Sequence, residues 1–152
     1  VTGYLAGFEP AMREALAEAG ASGDDVPVGA VVLDAAGMII GRGHNLREAQ
    51  SDPTAHAEIV AVRAASAARG NWHLDDCTLV VTLEPCTMCA GAVLASRLPR
   101  LVYGAADPKT GAAGSVWDVL HDPRLGPAVE VLGGVLDAEC AALLRDFFGQ
   151  RR

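Results

Sequence analysis

Two short segments bring together residue types that can hold a metal ion and move a proton: Thr54-Ala55-His56-Ala57-Glu58 and Glu84-Pro85-Cys86-Thr87-Met88-Cys89. Cys86 and Cys89 lie three apart, so on a helix their thiols share one face and can grip one ion. Each segment opens a predicted helix, and the partial positive charge of a helix N-terminus lowers a thiol pKa from about 8.5, favouring the thiolate that zinc needs. His56 adds a third ligand. Three protein ligands leave the fourth tetrahedral position of zinc open to water, as catalytic sites do. Zinc lowers the pKa of that water from roughly 15.7 to about 7, making hydroxide available at neutral pH. Hydroxide attack also needs a proton carrier beside the metal. Glu58, two residues from His56 and not required as a ligand, suits that role.

Taken singly, each of these residues has an ordinary use. Cys-x-x-Cys also suits thiol–disulfide exchange, and an acid such as Glu58 is favoured in any first helical turn. A redox pair would not require His-x-Glu on a separate helix, so the combination favours zinc. His44, His73 and His121 have no ligand spacing and read as polar loop or surface residues. Cys77 and Cys140 read as small core residues.

The elements that must position these residues follow from periodicity. Leu5, Phe8, Met12, Ala15, Leu16 and Ala19 recur at three- and four-residue intervals, predicting one amphipathic helix closed by Gly20. Val26 to Leu33 and Met38 to Gly43 are β-branched runs around Asp34-Ala35-Ala36-Gly37, a hairpin pattern. His44 to Pro53 reads as loop and Thr54 to Ala68 as a helix ended near Gly70. Thr78 to Leu83 is apolar on both faces, which predicts a central strand. Cys86 to Ser96 reads as a helix, Leu101 to Tyr103 as a strand and Gly104 to Ser115 as a loop. Ala128 to Leu132 is a fifth strand, and Asp137 caps a last helix running to Phe148. Strand–helix alternation after an opening hairpin predicts an α/β fold of three layers, α/β/α, with a central five-stranded mixed sheet. Residues 1–152 read as a single domain, without repeats or linkers.

Composition narrows the function classes. Of 152 residues, 51% are hydrophobic, which excludes a disordered chain. Acidic residues number 19 against 12 Lys plus Arg, for a net charge of -7, so a generic polyanion binder is disfavoured while a local arginine patch is not. Four cysteines are too few for a disulfide-stapled secreted module. No apolar run is long enough to span a membrane, and Val1 to Gly20 does not read as a signal peptide. A cytoplasmic setting is expected.

The His-x-Glu and Pro-Cys-x-x-Cys pair matches the signature of zinc nucleobase deaminases. The similarity extends over nearly the whole chain. Val26-Pro27-Val28-Gly29-Ala30, Gly43-His44-Asn45, Asp52 to Glu58, Val81 to Cys86, Lys109 to Ser115 and Asp146-Phe147-Phe148 together resemble the bacterial tRNA-specific adenosine deaminases, within the cytidine-deaminase-like superfamily. The resemblance implies that fold, one Zn2+ per subunit and a homodimer. It also implies hydrolytic deamination of adenosine to inosine at the wobble position, the first anticodon base, of an arginine tRNA. The attacking water would reach adenine C6 while Glu58 takes its proton and delivers protons to the ring nitrogen and the departing ammonia.

The same resemblance assigns substrate contacts to Asn45, Ala57, Glu84, Val28, Asp107, Lys109 and Phe148, with Asn45 on the purine edge and the backbone near Ala57 and Glu84 completing the pocket. Asn45 is otherwise a turn residue, and Asp107 otherwise caps the turn before Pro108. Gly111 to Gly114 is a tight turn or a close approach to RNA. Trp72 and Trp117 read as core or interface residues, and Phe147 and Phe148 as packing or as a stacking platform for loop bases. Candidate phosphate partners are Arg42, Arg47, Lys109, Arg145, Arg151 and Arg152. The chain departs from many relatives where Leu46, rather than Arg, follows Asn45. Two other readings compete: a zinc deaminase of a free base or nucleoside, guanine or cytosine/cytidine, and a non-catalytic zinc-stabilised RNA-binding module with four protein ligands.

Overall fold

A computed structural model describes residues 2–151; Arg152 lies outside the described residues. The opening helical pattern is divided in two, α1 (Thr2–Ala6) and α2 (Glu9–Ala19). Pro10 is the reason. Its ring clashes with a preceding helical turn and it offers no N–H, yet it fits the first turn of a new helix, where it sits. Met12, Ala15 and Ala19 form the buried face of α2.

The hairpin forms as β1 (Gly29–Leu33) antiparallel to β2 (Ile39–His44). Asp34 Oδ1 accepts the N–H groups of Ala36 and Met38 at 2.9 Å, and Gly37 takes a positive φ of 83°. The first strand starts three residues later than the Val26 boundary suggested. Pro27 has no N–H to give, and the Val26 carbonyl is taken by the Asn45 side chain at 2.8 Å.

The expected loop after β2 contains a helical turn, α3 (Arg47–Gln50), before α4 (Ala57–Arg69). β3 (Thr78–Leu83) leads to α5 (Thr87–Ala95), and β4 (Arg100–Ala105) extends beyond the expected strand on both sides. β5 is short (Glu130–Leu132), and α6 (Asp137–Gly149) closes the chain. Asp137 does not cap α6. Leu136, at a positive φ of 53°, occupies the cap position, and Asp137 and Glu139 instead place charge in the first turn.

The strands form one five-stranded mixed sheet of order β2-β1-β3-β4-β5, with β1 antiparallel to β2 and β3 while β3, β4 and β5 run parallel. Alternate residues of the strands feed opposite faces. Ala30, Val32, Leu79, Val81 and Leu101 pack with Ala57, Ala61, Ala65, Ala90 and Val93 of α4 and α5. Val31, Val80 and Val102 pack with Met12 and Ala15 of α2 and Cys140 of α6. Three α/β/α layers result, as the sequence pattern predicts.

The helix α4 lies on β2 with almost nothing between them. A Cβ at Gly41 would fall 2.4 Å from the Ala61 carbonyl oxygen, and one at Gly43 would fall 2.4 Å from that of Ala57. Such an alanine–glycine interface leaves no room for indoles. Trp72 and Trp117 are 54% and 59% exposed, so neither is a core residue.

Candidate metal centre and base pocket

The topology carries four chain segments to one edge of the sheet. Because β1 is antiparallel to both neighbours, its N-terminal end meets the C-terminal ends of β2, β3 and β4. Val26 and Val28 approach from the first, Asn45 and Arg47 from the second, Glu84 and Cys86 from the third, Asp107 and Thr110 from the fourth. Crevices outside the carboxyl ends of parallel strands are the usual ligand positions of α/β sheets.

His56 is the N-cap residue of α4 and Cys86 that of α5, both with extended backbone. Cys89 follows in the first turn of α5. His56 Nδ1 lies 3.6 Å from each of the Cys86 and Cys89 sulfurs. Tetrahedral zinc, with bonds of about 2.3 Å to sulfur and about 2.05 Å to nitrogen, would set those separations at about 3.6 Å. The donor set therefore fits zinc in chemistry and in spacing, and Nδ1 is the nitrogen that faces the thiols. Among the described residues this is the one cluster of three metal-capable side chains.

Hydrogen bonding organises the cluster electrically. The hydrogen bonds from Cys89 and His56 outweigh burial and pull the Cys86 thiol down to about 4, while Cys89, sharing its proton with Cys86 in a buried place, is pushed up. Hydrogen bonding to Cys86 raises the proton affinity of His56. Glu58, in the first turn of α4, is buried (4% exposed), and burial lifts its carboxyl to about 6.

A cavity of about 130 Å³ opens over this group, lined by Val26, Val28, Asn45, Arg47, His56, Glu58, Leu83, Glu84, Cys86, Asp107 and Thr110. That is far below the roughly 300–1,000 Å³ of drug-sized sites and leaves room for one small group only. Asn45 ties its walls together: Nδ2 donates to the Val26 carbonyl at 2.8 Å and Oδ1 accepts the Ala57 N–H at 2.9 Å. Ala57 thus meets the site through its backbone, its methyl group lying in the core.

Glu84 (2% exposed) sends its carboxylate into the loop after β4. It accepts the N–H groups of Asp107, Ala113 and Ser115 at 3.0 Å and the Ser115 hydroxyl. A Cβ on Gly111 would come within 2.5 Å of this carboxylate, so that glycine serves a close internal approach. Asp107 in turn caps Lys109 and Thr110.

Lys109 and Phe148 do not line the cavity; Lys109 is exposed and Phe148 is 51% exposed on α6. Thr110, Leu83 and Val26 do line it and were not singled out by sequence. Thr110 had a signal, since Asp107-Pro108-Lys109-Thr110 is an Asx-turn pattern; the two aliphatic residues had none. A larger hollow of about 630 Å³ lies at the other end of α5, near His73, Arg97 and residues 125–129. It contains no cluster of metal donors.

Residues 8–105 match the model of the cytidine and deoxycytidylate deaminase zinc-binding region. A tRNA-specific adenosine deaminase of Haemophilus influenzae is 54% identical over 128 residues, covering 84% of this chain and 74% of that protein. A tRNA(Ile)-lysidine synthase of Deinococcus radiodurans is 54% identical over 138 residues, 91% of this chain, but the chain spans only 24% of that protein's length. Among solved structures, one from a study of A-to-I editing by tRNA:A34 deaminases at the wobble position of transfer RNA superimposes with a TM-score of 0.84. The identity there is 44%, and the match covers 88% of this chain and 97% of that one.

Proposed function

Because the chain belongs to the cytidine and deoxycytidylate deaminase zinc-binding family, we propose that it deaminates adenosine to inosine at the wobble position of a tRNA, an arginine tRNA being the substrate. The observation that carries this reading is the buried Glu58 carboxyl beside a three-donor cluster under a small cavity. Zinc, held by His56 Nδ1 and the two thiolates, supplies when bound an acidified water. Glu58 would take one proton from the attacking water and pass it to the purine ring nitrogen, then take the second from the new C6 hydroxyl as that becomes a carbonyl and deliver it to the departing amine, so that water and adenosine give inosine and ammonia. A carboxyl lifted by burial to about 6 gains and loses a proton readily near neutral pH.

Asn45 has already committed one Nδ2 hydrogen to Val26, and its second serves the purine edge. A paired base could not reach the cavity, whereas a loop nucleotide can be splayed out at low cost. Lys109 and Phe148, outside the cavity, contact the loop around the entering base. A homodimer follows from the family resemblance and is supported by exposed Trp72 beside an open apolar groove formed with Ile59, Val62 and Ala92. No described helix is long and apolar enough to cross a membrane; a tRNA substrate places the activity in the cytoplasm.

The test is incubation of the zinc-loaded protein with an arginine tRNA bearing A at the first anticodon position, read by sequencing, with free guanine, cytosine and cytidine in parallel for ammonia release. Inosine at that position alone is the expected result, and release from a free base instead would move the protein to the competing deaminase reading. Glu58→Ala should keep zinc and fold and lose roughly 10²–10⁴ in turnover. Full turnover in that variant would remove Glu58 from the mechanism.

A further inference from the structure

An acidic chain, with a net charge of -7, cannot rely on long-range attraction to hold a nucleic acid, so recognition of phosphate has to be local. Among the described residues, Arg47 is the only Arg or Lys that lines the small cavity. Its guanidinium is already oriented. Nε and Nη2 both donate to Asp25 Oδ1, at 3.1 and 2.8 Å. The Asp25 side chain is 2% exposed and is itself fixed from two segments, by the Val26 N–H at 2.9 Å and the Glu48 N–H at 3.1 Å. Arg47 remains 37% exposed, and its Nη1 has no protein partner among the described residues.

Arginine carries five N–H donors in a rigid fork, so two bonds to Asp25 fix the plane and leave three donors free for a doubly bonded anion. The other candidate cations are placed differently. Arg42 faces Glu14 at 2.8 Å and Glu18 at 3.9 Å, and Arg151 stacks on Phe147 and lies 3.7 Å from Asp24. Lys109 and Arg145 do not reach the cavity.

We propose that Arg47 binds the phosphodiester next to the nucleotide whose base enters the cavity, and that Asp25 is the positioning residue that holds its guanidinium there. The inference rests on the tRNA reading above and deepens it, because a free base offers no phosphate to this fork. Arg47 thereby separates a nucleotide within a strand from a loose heterocycle.

The experiment measures binding of a fluorescein-labelled anticodon stem-loop to the zinc-loaded protein by anisotropy across a potassium chloride series, together with its deamination. The double variant Asp25→Asn/Arg47→Gln removes both partners, so no buried charge is orphaned, and zinc content and circular dichroism verify its fold. Its affinity should fall roughly tenfold at low salt. The dependence of log affinity on log salt should flatten by about 0.7, the loss of one phosphate contact on a single strand. A merely structural role would change affinity and leave the slope alone. Arg47→Lys keeps the charge but not the fork; it should retain the slope and bind several-fold more weakly. An unchanged slope in the double variant, or wild-type affinity in Arg47→Lys, overturns the inference. If the wild-type protein deaminates the stem-loop in either case, the tRNA reading survives that failure; if it does not, both fall together.

Discussion

Replacing Gly43 by Ala probes how the metal centre depends on a contact that involves no metal ligand. The new methyl carbon would stand 2.4 Å from the Ala57 carbonyl oxygen, 2.6 Å from the Ala61 nitrogen and 2.9 Å from the Val60 Cβ. The two nearest atoms belong to the α4 backbone and cannot rotate away. Ordinary contact distances therefore require α4 and β2 to separate by about 1 Å. Ala57 lies between His56 and Glu58, so the retreat carries both from Cys86 and Cys89, which stand on α5.

Overpacking of this kind costs about 1–3 kcal/mol of stability. A displacement of about 1 Å exceeds the roughly 0.2 Å tolerance of a metal site and is worth about 10²-fold in rate at a reacting centre. The assays are urea unfolding, zinc titration against a competing chelator, and turnover at saturating zinc. Gly41→Ala is the control, since its Cβ meets Ala61 and Ala65, one turn further along the helix. Both variants should lose stability, and Gly43→Ala should lose far more zinc affinity. Wild-type stability and zinc affinity in Gly43→Ala, or equal zinc losses in the two, would refute the argument.

Two further outcomes follow from the same geometry. Cys89→Ser should lose bound zinc and melt at a lower temperature, and a chelator should lower the melting temperature of the wild type while leaving that of the variant unchanged; insensitivity of the wild type would count against a metal that stabilises the fold. Burial alone would raise the Asp25 carboxyl, but hydrogen bonds from Arg47, Glu48 and Val26 hold it below its ordinary 3.8. Its contribution to stability is therefore fully present above that value and is lost as the pH falls through the lower folded-state value. Denaturant midpoints measured downward from pH 5 should fall less steeply in Asp25→Asn, and identical acid limbs would exclude this linkage.

The metal donors, and the placing of Glu58 beside them, could be read from the chain because both depend on type and spacing within two short segments. The sheet was legible for a similar reason: β3 is an uninterrupted apolar run, and the hairpin is marked by Asp34 and Gly37. The breaks were harder to see. Apolar spacing passes smoothly through Gly7 and Phe8, and only the local geometry of Pro10 interrupts the helix. Likewise Val26 to Val28 has strand composition, but Asn45 draws that stretch out of the ladder from 19 residues away. The partnership of Asp25 with Arg47, 22 residues apart, leaves no mark on periodicity. Nor does the inward turn of Glu84, whose partners lie up to 31 residues ahead. Long-range side-chain bonding sets these details, and local pattern cannot encode it.

Both tryptophans of the chain stand at the surface, Trp72 tilted against the His73 ring with centroids 3.7 Å apart. Ultraviolet emission from the isolated protomer consequently arises from two indoles that are each more than half exposed. A blue shift on raising protein concentration or adding RNA would mean that something has covered one of those rings. The fold thus carries a built-in optical reporter of contact at these two rings.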